Sequence, residues 1–235
     1  MIEADWRTYG SGAQMAHAVS AGIAGIVQRA IDARGGAFVA LPGGRTPRPI
    51  FERLASTEIA WNKVTIVPTD DRLVPATDPL SNAALIARYF SPRGARVVPI
   101  ASGAVADYRA AGQAADAELA KLDWPPDLVW LGVGADGHTA SIFPGPDLED
   151  ALDGSGARRA VGVMPDPLPP EAPVARVTLT RDAIVSARAL VLALSGEAKR
   201  ALVECALRSG PHSRTPIGRV LAKAAGPIEI YWSAT

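Results

Sequence analysis

The chain has 235 residues, 48% hydrophobic and 20% charged, with a formal net charge of zero. This composition excludes a disordered chain, and the charge balance excludes a global field that would draw it to nucleic acid or a membrane surface. No apolar run approaches the ~20 residues needed to span a bilayer, and residues 1–6 lack the basic and apolar regions of a secretory leader, so a cytoplasmic location is expected.

Residues Gly12 to Arg34 predict a first helix, with Met15, Val19, Ile23 and Ile26 or Val27 on one face and Gly35-Gly36 as its stop. Ala37 to Leu41 is a short apolar strand that runs into Pro42-Gly43-Gly44-Arg45-Thr46-Pro47 and then a helix through Ile50, Phe51 and Leu54. Val64 to Val67 reads as the next strand and ends in Asp70-Asp71-Arg72. Ser81 can cap a helix covering Leu85, Ile86 and Phe90. A third strand is expected at Val97–Ile100, a helix over Tyr108–Leu122, and a fourth strand at Leu128–Val133.

Residues 144–175, rich in Pro, Gly and charge, read as a surface excursion with one edge strand at Val161–Met164. Val177–Leu179 is a further strand before a short helix, and Leu190–Leu194 a buried strand before a helix through Leu207. Pro216–Leu221 is a helical turn and Ile228–Trp232 the last strand. Alternating strands and helices predict an α/β fold, an open, mainly parallel Rossmann-like sheet with helices on both faces, as one domain spanning 1–235.

The loop after the fourth strand is the most informative. Gly132 and Gly134 break that strand and deliver Asp136-Gly137-His138 at its carboxyl end, where open α/β sheets bind ligands. A histidine there can exchange a proton near neutral pH. Of the other histidines, His17 falls on the polar side of the first helix and His212 in a Pro/Ser loop, so His138 is the candidate general base. Gly132, Gly134 and Gly137 also spell G-x-G-x-x-G, but a dinucleotide fingerprint is rejected. Pro144, Gly145 and Pro146 stop the helix it needs, and Asp136 would set a carboxylate against the pyrophosphate. No acid ends a second strand about 20 residues on; Glu149, Asp150 and Asp153 fall in polar sequence.

Gly43-Gly44 after a strand and before a helix can turn backbone N–H groups onto a phosphate, with Thr46 adding a hydroxyl and Arg45 a charge. The same pair also suits a plain tight turn. Arg72 can meet a phosphate or an oxyanion, or make a surface ion pair. Lys199, one turn into a helix in a chain with only Lys63, Lys121 and Lys223 besides, points to anion binding, as does Arg176 ahead of its strand. Cys205, the single cysteine, suits a reducing compartment and reads as a small buried hydrophobe. No spacing implies a metal, and no G-x-S-x-G elbow implies a serine hydrolase.

Taken together, the stretches 41–47, 69–82, Gly-Val-Gly-Ala-Asp-Gly-His-Thr-Ala-Ser-Ile-Phe-Pro at 132–144, 176–180 and 195–199 resemble the 6-phosphogluconolactonase family, within the wider NagB/RpiA-like group that includes glucosamine-6-phosphate deaminases. They occur in the family's order. The resemblance implies hydrolysis of 6-phosphogluconolactone, a phosphorylated sugar lactone, with no cofactor. It implies His138 as general base, with Asp136 orienting the imidazole or serving the turn, and Arg72 near the lactone carbonyl. Gly43, Gly44, Arg45, Thr46, Asp71, Arg176 and Lys199 are the expected substrate-binding residues, and a monomer is expected, with a homodimer the alternative.

The family loop usually reads Ser-Gly-Gly-Ser-Thr-Pro, so Pro42 and Arg45 here exchange two hydroxyls for one cation. Deaminase members carry a glutamate five residues after the histidine, where this chain has Phe143, and a tyrosine where it has Arg72. An isomerase/deaminase acting on glucosamine 6-phosphate and a non-catalytic sugar-phosphate sensor are the alternative readings.

Overall fold

A computed structural model describes residues 2–101, 103, 107–152, 158–226 and 228–235. In chain order the elements are β1 (Ala4–Tyr9), α1 (Gly12–Arg34), β2 (Ala37–Leu41), α2 (Arg48–Ala55), β3 (Val64–Pro68), β4 (Asp70–Arg72), α3 (Asn82–Phe90), β5 (Arg96–Val97), α4 (Tyr108–Leu119), β6 (Leu128–Leu131), α5 (Leu148–Ala151), β7 (Ala160–Val163), β8 (Arg176–Leu179), α6 (Arg181–Val185), β9 (Leu190–Ser195), α7 (Glu197–Ser209), α8 (Pro216–Leu221) and β10 (Ile228–Ser233). The ends follow local chemistry. Ser11 accepts from the Gln14 N–H to cap α1, and Gly35 closes it at a left-handed φ of 79°. Ser81 accepts from the Ala84 N–H to start α3.

Seven strands form one sheet in the order β1-β10-β9-β6-β2-β3-β5, every pairing parallel. Side chains alternate across it. Phe38, Ala40, Val129 and Leu131 face the core shared with α4, α6, α7 and α8, while Val39, Leu41, Leu128 and Trp130 face the core under α1, α2 and α3. Both faces are dry, which is why the central strands read as continuous apolar runs. From β2 the chain moves outward to β3, and it returns on the other side of β2 as β6 before moving to β9. The order therefore reverses between β2 and β6, and a crevice opens at their carboxyl ends.

A second, antiparallel sheet of order β4-β8-β7 was not expected from the sequence. The chain leaves β3 at Pro68 and enters β4 two residues on. Thr69 holds the junction, its N–H on the Leu41 carbonyl and its carbonyl accepting from the Leu179 N–H, both at 2.9 Å. β7 does stand at an edge, yet it is buried rather than superficial, because α4 lies on its backbone. A Cβ at Gly162 would fall 1.7 Å from the Tyr108 carbonyl oxygen, so only glycine allows the approach.

Other expectations shift. The third strand is confined to Arg96–Val97 and α4 stops at Leu119. β1 was missed, because its half-exposed residues give no apolar run. Glu149 and Asp150 belong to the short helix α5, and Asp153 lies outside the described residues. Cys205 is exposed, not buried. On α7 the buried residues are Val203, Ala206 and Leu207, and position 205 projects from another side of that helix. No described helix is long and apolar enough to cross a membrane.

Candidate active site

The crevice at the carboxyl ends of β2 and β6 holds a cavity of about 190 Å³. Gly43, Gly44, Arg45, Thr46, Arg72, His138, Arg176 and Lys199 all line it, brought from five separate stretches of chain.

After β2 the chain turns sharply. A Cβ at Gly43 would lie 1.8 Å from the Asn82 side-chain oxygen, and Gly44 adopts φ 97°, so both positions require glycine. Within the described residues no hydrogen bond uses the N–H groups of Gly43, Gly44, Arg45 or Thr46, and α2 begins directly behind them with no side-chain cap. Free N–H groups at a helix start are suited to an anion.

The β6 loop is built around His138. Its Nδ1 lies 2.6 Å from Asp136 Oδ1, which also accepts the His138 backbone N–H at 3.1 Å. Burial would raise the Asp136 carboxyl, but hydrogen bonds from the His138 ring and backbone outweigh it and hold the group below its usual value. An ionised carboxylate only accepts, so Nδ1 carries the hydrogen and Nε2 is the basic nitrogen. Phe143 stacks on the imidazole with centroids 4.2 Å apart. A Cβ at Gly134 would meet the ring at 2.2 Å, and Gly137 turns the chain at φ 82°. Ala140, which also lines the cavity, holds a positive φ of 49°, a strained state for a residue with a side chain.

Arg72 and Arg176 face each other across the β4–β8 pairing. Arg72 Nη1 donates to the Leu80 carbonyl at 2.9 Å and to Asn82 Oδ1 at 3.1 Å. Arg176 is 3% exposed, donates from Nη2 to the Ala172 carbonyl, and sits over Phe143. The Nε of each arginine is buried with no partner among the described residues. Burial lowers the Arg176 pKa, the nearby Asp70 opposes this, and Arg72 adds to it. Lys199 reaches the cavity from the first turn of α7, just after Gly196 at φ 89°. Among the described residues none of Arg45, Arg72, Arg176 or Lys199 makes an ion pair. The cavity therefore presents an excess of positive charge in a chain of zero net charge.

Asp71, expected to bind substrate, does not line the cavity. Its carboxylate is 1% exposed and accepts from the N–H groups of Arg72, Asn82 and Ala83 and from the Ser81 hydroxyl, which ties β4 to the start of α3. Burial nonetheless pushes its carboxyl above the usual value, with Asp70 adding in the same direction. Asp136 is not on the wall either and reaches the site through His138. Sequence reasoning did not single out Asp70 or Asn82. Asp70 lines the cavity and accepts from the Ser141 hydroxyl at 2.5 Å, and Asn82 bridges Arg72 to the Asp70 carbonyl. Both fall in the matched stretch 69–82, and Asn82 also stands just behind the Ser81 cap, but neither was given a role. Among the described residues no group of three His, Cys, Asp or Glu side chains can hold a metal ion.

A family model described as glucosamine-6-phosphate isomerases/6-phosphogluconolactonase matches residues 10–232. The chain is similar to a 6-phosphogluconolactonase of Mesorhizobium japonicum, at 39% identity over 97% of this chain and 95% of that protein. It is also similar to one of Rhizobium meliloti, at 35% identity over 99% of this chain and 100% of that protein. A solved 6-phosphogluconolactonase structure from Shewanella baltica matches with TM-score 0.88 and 32% identity, over 99% of this chain and 98% of that one.

Proposed function

Because this chain belongs to the glucosamine-6-phosphate isomerase/6-phosphogluconolactonase family and is a hydrolase of its 6-phosphogluconolactonase kind, we propose that His138 is the general base that activates water against the lactone. The observation that carries this reading is the His138–Asp136 pair at 2.6 Å, opening on a cavity walled by Arg72 and the Gly43-Gly44 turn. Nε2 takes a proton from a water, and the hydroxide attacks the lactone C1. The tetrahedral oxyanion develops beside Arg72. As it collapses, the C1–ring-oxygen bond breaks and the imidazolium returns its proton to that oxygen, which leaves as the C5 hydroxyl. The products are 6-phosphogluconate and the regenerated base.

The phosphate end is assigned to the N–H groups of Gly43–Thr46 with Arg45, Arg176 and Lys199, whose charges lack ion-pair partners among the described residues. Proton transfer supplies about 10²–10⁴-fold and an oxyanion donor about 10²–10³-fold, which suits an already reactive ester. Phe143 favours this reading over ring opening and isomerisation, because an apolar ring stacked on His138 offers no second proton carrier.

The test generates the lactone in situ from glucose 6-phosphate and follows 6-phosphogluconate with a coupled dehydrogenase at slightly acidic pH, where spontaneous opening is slow. His138→Asn is expected to lose about 10²–10⁴-fold in kcat while keeping product affinity. Full turnover in that variant would remove His138 from the mechanism.

A further inference from the structure

A second cavity, of about 370 Å³, lies at the opposite end of the large sheet, where β2, β3, β5 and β6 begin. The length of β2, about 16 Å at 3.3 Å per residue, separates it from the Gly43-Gly44 turn. Its wall carries Arg34, Lys63, Arg96, Lys121 and Arg188 against two carboxylates, Asp123 and Asp127. The cations come from five places in the chain: the end of α1, the turns before β3 and β9, the first residue of β5 and the stretch after α4.

The arrangement is fixed from beneath. The Asp127 side chain is 7% exposed and accepts the Phe38 N–H at 2.9 Å, and it ion-pairs with both Arg34 and Arg188. One buried carboxylate thus positions two guanidiniums while neutralising one charge. Glu118, which is not on the wall, takes Lys121 at 2.6 Å. Lys63 and Arg96 make no ion pair among the described residues. They stand close along the sheet edge, Lys63 in the turn just ahead of β3 and Arg96 at the start of its partner β5. Trp124 closes one side of the cavity, its ring packed at a steep angle against Phe38 and its indole N–H held by the Ser186 hydroxyl at 2.9 Å.

We propose that this cavity is a second binding site, separate from the lactone site, for a small polyvalent oxyanion of the polyphosphate kind. Guanidinium forks and an unneutralised lysine–arginine pair recognise adjacent phosphoryl groups, and the volume falls in the range of small-molecule pockets.

The test titrates tripolyphosphate into the whole protein at low ionic strength and follows backbone and indole N–H resonances by NMR. Saturable shifts at Gly36, Thr65, Arg96 and the Trp124 indole are expected. They should persist in Lys199→Glu and weaken at least about tenfold in apparent Kd in Lys63→Ser/Arg96→Ser. That neutral pair changes two exposed side chains, and its otherwise unchanged spectrum would report intact folding. Shifts confined to Gly43–Thr46 and Lys199 would overturn the proposal. So would a linear drift without saturation, or shifts untouched by the double substitution.

Discussion

Asp136 and His138 share one carboxylate oxygen between the ring and the backbone N–H, so a single side chain sets both the tautomer and the direction of the imidazole. Replacing Asp136 by Asn removes the charge but keeps a group that can hold the turn. The expected result is a fall in kcat with KM nearly unchanged, because the groups proposed to hold the phosphate lie elsewhere on the wall. Stability carries its own signature. The folded state holds the Asp136 carboxyl below its ordinary 3.8, so the favourable contribution is complete above that pH and is lost as pH falls through the lower folded value. The difference in unfolding free energy between the chain and Asp136→Asn should therefore shrink as pH falls below 3.8. A difference that keeps growing below pH 3.8 would contradict the pairing. The place of His138 was legible in the sequence because it follows a strand-ending glycine pair and the chain has only two other histidines, His17 and His212. Asn82 was not, because its role is to bridge groups ten or more positions away.

At the level of elements, the small antiparallel sheet is the feature that completes the site. It carries Arg72 on β4 and Arg176 on β8 to the same wall, and it is held down by α4 crossing β7. Gly162 makes that crossing possible, since any Cβ there would strike the Tyr108 carbonyl at 1.7 Å. Gly162→Ala is expected to destabilise the fold by about 1–3 kcal/mol, the usual cost of forcing atoms into packed structure. Denaturant melts would check this, and an unchanged midpoint would mean that α4 slides freely over β7. Periodicity located β8 and placed β7 within a residue, but nothing in either run of residues specified that they pair with β4 in a separate sheet.

On the scale of the whole molecule, charge is balanced overall and concentrated locally. The cavity collects cations with Asp70 as the carboxylate on its wall, and it keeps Arg176 almost fully buried with an Nε that has no partner among the described residues. Such a buried charge stabilises an anionic ligand rather than the empty fold. Arg176→Met should therefore raise KM for the lactone, about tenfold or more for a lost charge-assisted contact. The thermal midpoint should stay level or rise. Steady-state kinetics and a melt on the same sample decide it. An unchanged KM would remove Arg176 from substrate binding, and a large loss of stability would make it a structural residue.

The alternation of the core strands and helices, the break after β2 and β6 that opens the crevice, and the place of His138 at its mouth were all determined by the sequence itself. Those features depend on neighbours within a few positions: apolar runs, caps, glycines that permit positive φ, and one titratable ring. Tertiary structure alone decided that Asp71 turns inward to hold α3, that Cys205 faces solvent, and that Arg72 and Arg176 stand side by side. Each of those outcomes rests on contacts between residues far apart in the chain, where register between strands and the packing of one backbone on another set which way a side chain points.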